Sequence, residues 1–179
     1  IKLTNIIRSS KKIKQFIFFS GIGTDLTNDS MRSKAIFESE KYINKNLKNS
    51  IIIRPGIIMG GGDQFLNRLI PLFKISFFIP MFGSGLSKLQ PIYVDDVSAG
   101  ICKIIEIDLL GNHLFEFIGP NVFSYKELYN HLAQAMNKTR VLVPVPFKIV
   151  KIAVSIIEKT PLSLLNSEQL KLFEKDNIG

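Results

Sequence analysis

Early in the chain the apolar positions fall into two dense blocks separated by a mixed one. "QFIFFS" (15–20) and "SIIIRP" (50–55) are short, continuously apolar runs rich in Ile and Phe. Runs of this kind suit strands buried on both faces of a parallel sheet. Between them "SMRSKAIFESEKYINKNL" (30–47) reads as a helix, with Thr27, Asn28, Asp29 and Ser30 available as caps. Together they predict a strand–helix–strand unit with a right-handed crossover.

The alternation continues. A glycine triplet, Gly60 to Gly62, releases the chain into "DQFLNRLIPLFK", a helix capped by Asp63. "FIPMFGSG" and "QPIYV" are short strand-like pieces around a glycine turn. "DDVSAGICKIIEID" (95–108) is a capped helix and "HLFEFIG" (113–119) a strand. "SYKELYNHLAQAMN" (124–137) is a helix opening on Ser124 and Glu127, a capping-box spacing. "VLVPVP" leads to a helix from Phe147 to Lys159, and "NSEQLKLFEKD" closes the sequence. In that 147–159 helix Lys148, Lys151, Ser155, Glu158 and Lys159 make one narrow polar stripe. The wide apolar remainder predicts burial on most sides, against core or a partner ahead of a membrane surface. No internal repeat or low-complexity linker is present, and the architecture is α/β.

Composition narrows the function classes. The 179 residues are 46% hydrophobic and 21% charged, globular material for one domain, or one with a small satellite. The single cysteine, Cys102, rules out an internal disulfide, and two distant histidines give no metal cluster. Cys102 sits in a helical pattern and is expected to pack as a small buried hydrophobe. The net charge is +8. Its basic residues are scattered apart from "RSSKKIK" (8–14), a solvated turn, so no nucleic-acid partner is expected. "IPLFKISFFIPMFG" (70–83) is interrupted by Lys74 and Ser76 and falls short of the roughly 20 apolar residues of a membrane span. With no signal-peptide pattern at its start, the chain is expected to be cytoplasmic and without a transmembrane segment. Peripheral contact with the cytoplasmic face of the inner membrane stays open.

A nucleotide-binding sheet normally shows a glycine-rich turn after its first strand. "SGIGTD" (20–25) holds two glycines, but its helix begins too late for them to serve a phosphate. "MGGGDQF" is read as a hinge.

In chain order, "FIFFSGIGTD", "SMRSKAIFESE", "IIIRPGIIMGGGDQFLNRL", "QPIYVDDVSAGI" and "FEFIGPNVFSYKEL" resemble the extended and atypical short-chain dehydrogenase/reductases. The similarity covers nearly the whole chain. It is greatest with the branch containing the NADPH-binding accessory subunit of respiratory complex I and its alphaproteobacterial relatives. "RPGIIMGGGDQFLNRL" and "QPIYVDDVSAG" are fairly specific to that branch, and "VPVPF" and "SEQLKLFEKDN" are also similar to it. The resemblance implies the C-terminal half of a doubly wound (Rossmann) parallel sheet with a small mixed α/β C-terminal subdomain. Residues 1–60 and 96–119 would form the second half of the NAD(P)-binding domain, and 61–95 and 120–179 the subdomain. It also implies that the glycine-rich pyrophosphate turn belongs to a front half outside this chain, so that a complementary N-terminal half is an expected partner. "QFIFFS" would then lie at a sheet edge, an aggregation hazard.

In that family the helix carries Tyr-x-x-x-Lys, the tyrosine as general acid/base and the lysine on the nicotinamide ribose. Lys34 matches the lysine, and the tyrosine position falls on Ser30. A phenol with a pKa of about 10 can be drawn towards neutrality by a nearby ammonium. An aliphatic hydroxyl is too weak an acid and too short for the same task. Ser30 is therefore expected to cap its helix, and no catalytic residue is assigned. Ser20 matches the end of the family's fifth strand, where backbone and hydroxyl approach the nicotinamide. Pro55, Gly56, Ile57 and Ile58 match the loop lying over the ring, and Asp96 an aspartate expected to cap its helix. The cofactor is NADP or NAD, the choice resting on a residue outside the chain.

The resemblance thus implies a non-catalytic NAD(P)H-binding protein of the complex I accessory kind, with respiratory complex I subunits as partners. One alternative is an active NAD(P)-dependent nucleotide-sugar epimerase/dehydratase or reductase, with Tyr93 or Tyr125 supplying the proton. Another is a redox-sensing regulator of the same fold.

Overall fold

The computed structural model describes residues 2–10, 12–24, 30–63, 65–157, 170–171 and 173–179, without the side chains of 155–157. Along the chain the elements are α1 (Lys2–Ser9), β1 (Phe16–Phe19), α2 (Met31–Asn46), β2 (Ser50–Pro55), β3 (Ile58–Met59), α3 (Leu66–Ile75), β4 (Phe78–Phe82) and β5 (Lys88–Leu89). They continue with β6 (Ile92–Tyr93), α4 (Val94–Glu106), β7 (His113–Phe117), β8 (Phe123–Ser124), α5 (Tyr125–Ala135), β9 (Val141–Val145) and α6 (Phe147–Ile157). They divide into two compact units, one of Ile1–Ile58, Ile92–Gly119 and Gly179, the other of Met59–Pro91 and Pro120–Ile178.

In the first unit the expected strands form a parallel sheet in the order β1-β2-β7. Phe16 pairs with Ser50 at one end of the β1–β2 ladder, and Pro55 pairs with Phe117 at the far end of β2–β7. Alternation along β2 decides what each residue meets. Ile51 and Ile53 are fully buried and pack with Ile104 of α4, backed by Ile17, Phe115 and Phe117. Ile52 and Arg54 point the other way, where α2 buries Ile43 and Glu40. Each fully buried isoleucine contributes about 1.5–3 kcal/mol of transfer free energy. Gly100 of α4 faces Phe117, whose Cε2 would stand 2.7 Å from a Cβ there. β1 is the edge of this described sheet, and Phe19 is exposed.

At the other end of the strands Asn112 fixes the start of β2. Its Oδ1 accepts from the Ser50 amide and hydroxyl, and its Nδ2 donates to the carbonyls of Asn44 and Leu47.

The second unit is built on the parallel pair β4–β9. Phe73 of α3 and Tyr129 of α5 pack edge to face with ring centres 5.6 Å apart, over Ile79 and Met81. α6 buries Val150 and Val154 against Phe82, Val145 and Leu170. Gly85, at φ +69°, turns the chain where Met81 Sδ leaves no room for a side chain.

Three local expectations need correction. Cys102 is exposed, because α4 turns Val97, Ile101 and Ile104 inward and leaves Cys102 on its outer side. Asp96 is exposed in the first turn of α4 and caps nothing: Tyr93 holds the cap position, with no side-chain hydrogen bond. Carboxylates there act through the helix dipole instead. Among the described side chains of α6 the core covers Val150 and Val154 and leaves Ile149 and Ile152 58% and 63% exposed, so the chain itself does not supply burial on most sides. Thr27, Asn28, Asp29, Glu158 and Lys159, and the side chain of Ser155, lie outside the described residues.

Candidate functional site

Ligands of open α/β sheets sit beyond the carboxyl ends of the strands. In the first unit that end is closed by a run of backbone bonds. The Ser20 amide donates to Ile53 O at 2.8 Å, Ile22 N to Pro55 O at 3.1 Å, and Gly56 N to Phe117 O at 2.8 Å. Ile92 N donates to Ile57 O at 3.0 Å. Ser20, Pro55, Gly56 and Ile57 are thereby brought to one rim, with Ile58 opening β3 directly after it. The turn beyond Ser20 is held by Thr24 Oγ1, which donates to Gly21 O at 2.6 Å, and by Gly23 at φ +70°. At this rim the Ser20 hydroxyl is buried and has no hydrogen-bond partner among the described residues. A buried hydroxyl left unpaired costs about 1–3 kcal/mol, so its position asks for an external partner.

Ser30 and Lys34 stand on α2. Ser30 is buried and is the N-cap, its Oγ accepting from Ser33 N at 3.3 Å while its carbonyl accepts from Lys34 N at 3.1 Å. The hydroxyl is thus engaged with backbone. Lys34 is exposed and has no ion-pair partner among the described residues. Glu38, four residues on, pairs with Lys41 at 3.7 Å instead. No hydrogen bond or ion pair among the described residues joins Lys34 to the rim.

One tie between α2 and the sheet is a charged pair not anticipated from the sequence. Arg54 Nε donates to Glu40 Oε1 at 3.0 Å and Arg54 Nη2 to Oε2 at 2.5 Å, a two-pronged contact on a 4% exposed glutamate. Glu116 Oε1 lies 4.0 Å from Arg54 Nη1. The signal was available: a charge inside the run "SIIIRP" must be paired if the strand is buried.

Of the phenols considered as proton donors, Tyr125 belongs to the second unit and is almost wholly buried. Burial pushes its pKa well above the usual 10.0, with Tyr129 adding to the shift, which is wrong for an acid working near neutrality. Tyr93 is 53% exposed and follows Ile92, whose amide is bonded to Ile57 O. In the "MGGGDQF" turn two of the amides near the start of α3 are already taken by a side chain. Asp63 Oδ1 takes the Leu66 amide at 2.6 Å and Oδ2 the Gly60 amide at 3.3 Å, so a carboxylate already fills the start of α3. Among the described residues no cluster could hold a metal ion.

No protein-family model matches the chain. The chain is 28% identical over 185 residues to NADH dehydrogenase (ubiquinone) 1 alpha subcomplex subunit 9, mitochondrial, of Arabidopsis thaliana, covering 99% of this chain and 45% of that protein. It is 30% identical over 146 residues to the protein of the same name from Mus musculus, covering 79% of this chain and 38% of that one. The chain therefore spans less than half the length of these curated relatives. The fold matches a crystal structure of a human epimerase family protein with NADPH at a TM-score of 0.73 and 14% identity, covering 98% of this chain and 60% of the other.

Proposed function

We propose, from the premise that this chain is a member of the complex I subunit 9 branch of the atypical short-chain dehydrogenase/reductases, that it is the nicotinamide-side portion of a nucleotide-holding, catalytically silent protein. The observation that carries the reading is the buried, unpartnered Ser20 hydroxyl at the carboxyl end of a parallel sheet. On this reading one end of a dinucleotide lies at the rim that holds Ser20. Ser20 would bond the nicotinamide end, Lys34 the ribose hydroxyls, and Pro55, Gly56, Ile57 and Ile58 would cover the ring. A nicotinamide, when bound, supplies a redox-active ring. Silence follows from Ser30, whose hydroxyl caps α2 where a phenol would be needed to move a proton. In the family that the chain resembles the pyrophosphate lies on a glycine-rich turn, so a complementary segment carrying such a turn is part of the proposal. Its setting would be the respiratory NADH dehydrogenase, peripheral to the membrane; among the described residues no helix is long and apolar enough to cross one.

Fluorescence titration with NADPH, on the chain alone and joined to the front segment of a subunit 9 relative, tests this. The joined form should bind, and Ser20→Ala or Lys34→Ala should weaken it about three- to tenfold, the worth of one hydrogen bond. No NADPH should be consumed with carbonyl substrates. Steady oxidation that survives Ser30→Ala overturns the silent reading. Its loss on Tyr93→Phe would favour an epimerase, dehydratase or reductase using that exposed phenol. Recovery of nucleotide-bound protein with a regulator, and never with complex I, would favour the redox-sensing alternative.

A further inference from the structure

Among the described residues, the outer side of the β4–β9 pair is covered at one end and open at the other. Paired residues of a parallel ladder share a face, so Phe78 with Val141, Pro80 with Val143 and Phe82 with Val145 lie opposite the buried Ile79 and Met81. The cluster around α6 packs on Phe82 and Val145. Phe78 and Val141 remain 61% and 41% exposed. Beside them the turn from α3 into β4 presents Ile75, 88% exposed, and Phe77, whose ring meets Phe78 edge to face at 5.2 Å. The Val141 amide donates to Phe77 O at 3.0 Å, which ties this turn to β9.

The rim of this apolar end is cationic. Lys138 Nζ reaches Lys74 O at 3.5 Å, and the Arg140 guanidinium holds Phe73 O. None of Lys74, Lys138 and Arg140 has a carboxylate partner among the described residues. The stretches 65–91 and 128–157 contain lysines and arginines but no aspartate or glutamate.

We propose that this face seats on an anionic lipid surface, with Ile75, Phe77 and Phe78 entering the boundary between headgroups and acyl chains and Lys74 and Lys138 meeting the phosphates. Charge decides the occupant. Apolar groups that project beside uncompensated lysines match a negatively charged bilayer surface, which attracts basic groups and takes up exposed Ile and Phe. A second copy related by a twofold would set these lysines against their own kind. The inference deepens the peripheral placement proposed above and is independent of nucleotide binding.

Co-sedimentation of the full chain with phosphatidylcholine vesicles, with and without phosphatidylglycerol, tests it. Binding should require phosphatidylglycerol and weaken as salt is raised. Phe77→Ser with Phe78→Ser, and separately Lys74→Glu with Lys138→Glu, should each reduce bound protein about tenfold or more. Ile105→Ser, on exposed α4 surface of the other unit, should leave it unchanged. Circular dichroism on each variant shows that the fold is kept, and the charge pair serves if the phenylalanine pair fails to fold. Equal sedimentation with both vesicles, or binding indifferent to both substitution pairs, overturns the proposal. So does concentration-dependent self-association, or capture of a protein partner, that these substitutions abolish without any vesicle binding. NADPH titration of the same variants keeps the two readings apart, since both pairs belong to the second unit and Ser20 and Lys34 to the first.

Discussion

Arg54 illustrates how one residue can set the position of a helix. Its guanidinium, half-buried at the end of β2, forks onto Glu40 with Glu116 nearby, so removing it leaves Glu40 as a buried charge without that fork. Arg54→Ala is expected to cost about 3–5 kcal/mol, read as a lower urea midpoint. Arg54→Met combined with Glu40→Leu should recover most of it, because two apolar side chains of similar size replace the pair. Equal losses in the single and double variants would refute that account. Ser20 is the opposite case. Its hydroxyl is unpaired, so Ser20→Ala should leave the nucleotide-free chain as stable as before, or slightly more so, while weakening the binding proposed above.

At the scale of elements, α2 begins where it does because Ser30 satisfies a first-turn amide. Ser30→Ala should lower stability by about 1 kcal/mol in thermal melts and leave any NADPH affinity within twofold. A large drop in affinity would mean that this hydroxyl does more than cap. The same logic runs further in α5, where Ser124 and Glu127 cap each other reciprocally. Donation from the Ser124 amide, then from its hydroxyl, holds the Glu127 carboxyl below its usual pKa. The contribution of that box is present above the ordinary glutamate range and fades as pH falls through the lowered value.

The whole molecule carries its own pH dependence. Burial holds Tyr125 and Tyr129 as neutral phenols, both above their ordinary pKa of 10.0. A proton bound more tightly in the folded state gives stability that is complete below the unfolded pKa and lost as pH rises beyond it. Urea midpoints should therefore be flat from pH 7 to 9 and fall above about pH 10. Tyr129→Phe should flatten the fall, and an unchanged midpoint at pH 11 in the parent chain would sink the explanation. At neutral pH the excess of +8 favours contact with anionic surfaces generally. That is why the vesicle experiment turns on two chosen lysines rather than on charge alone.

The sequence by itself determined the α/β alternation, the parallel strands 16–19 and 50–55, the helix between them with Ser30 at its head, and the Ser124–Glu127 box. Those features depend on neighbours within a few residues, where period and capping chemistry speak directly. The resemblance of its motifs to the short-chain dehydrogenase/reductases pointed to the family as well. Tertiary structure alone decided that Arg54 finds Glu40, that the Ser20 hydroxyl is buried without a partner among the described residues, and that Cys102, Ile149 and Phe78 face outward. Each depends on which other element arrives at a face. An apolar stripe states that a surface is suited to burial, whereas only the packed chain states whether anything covers it.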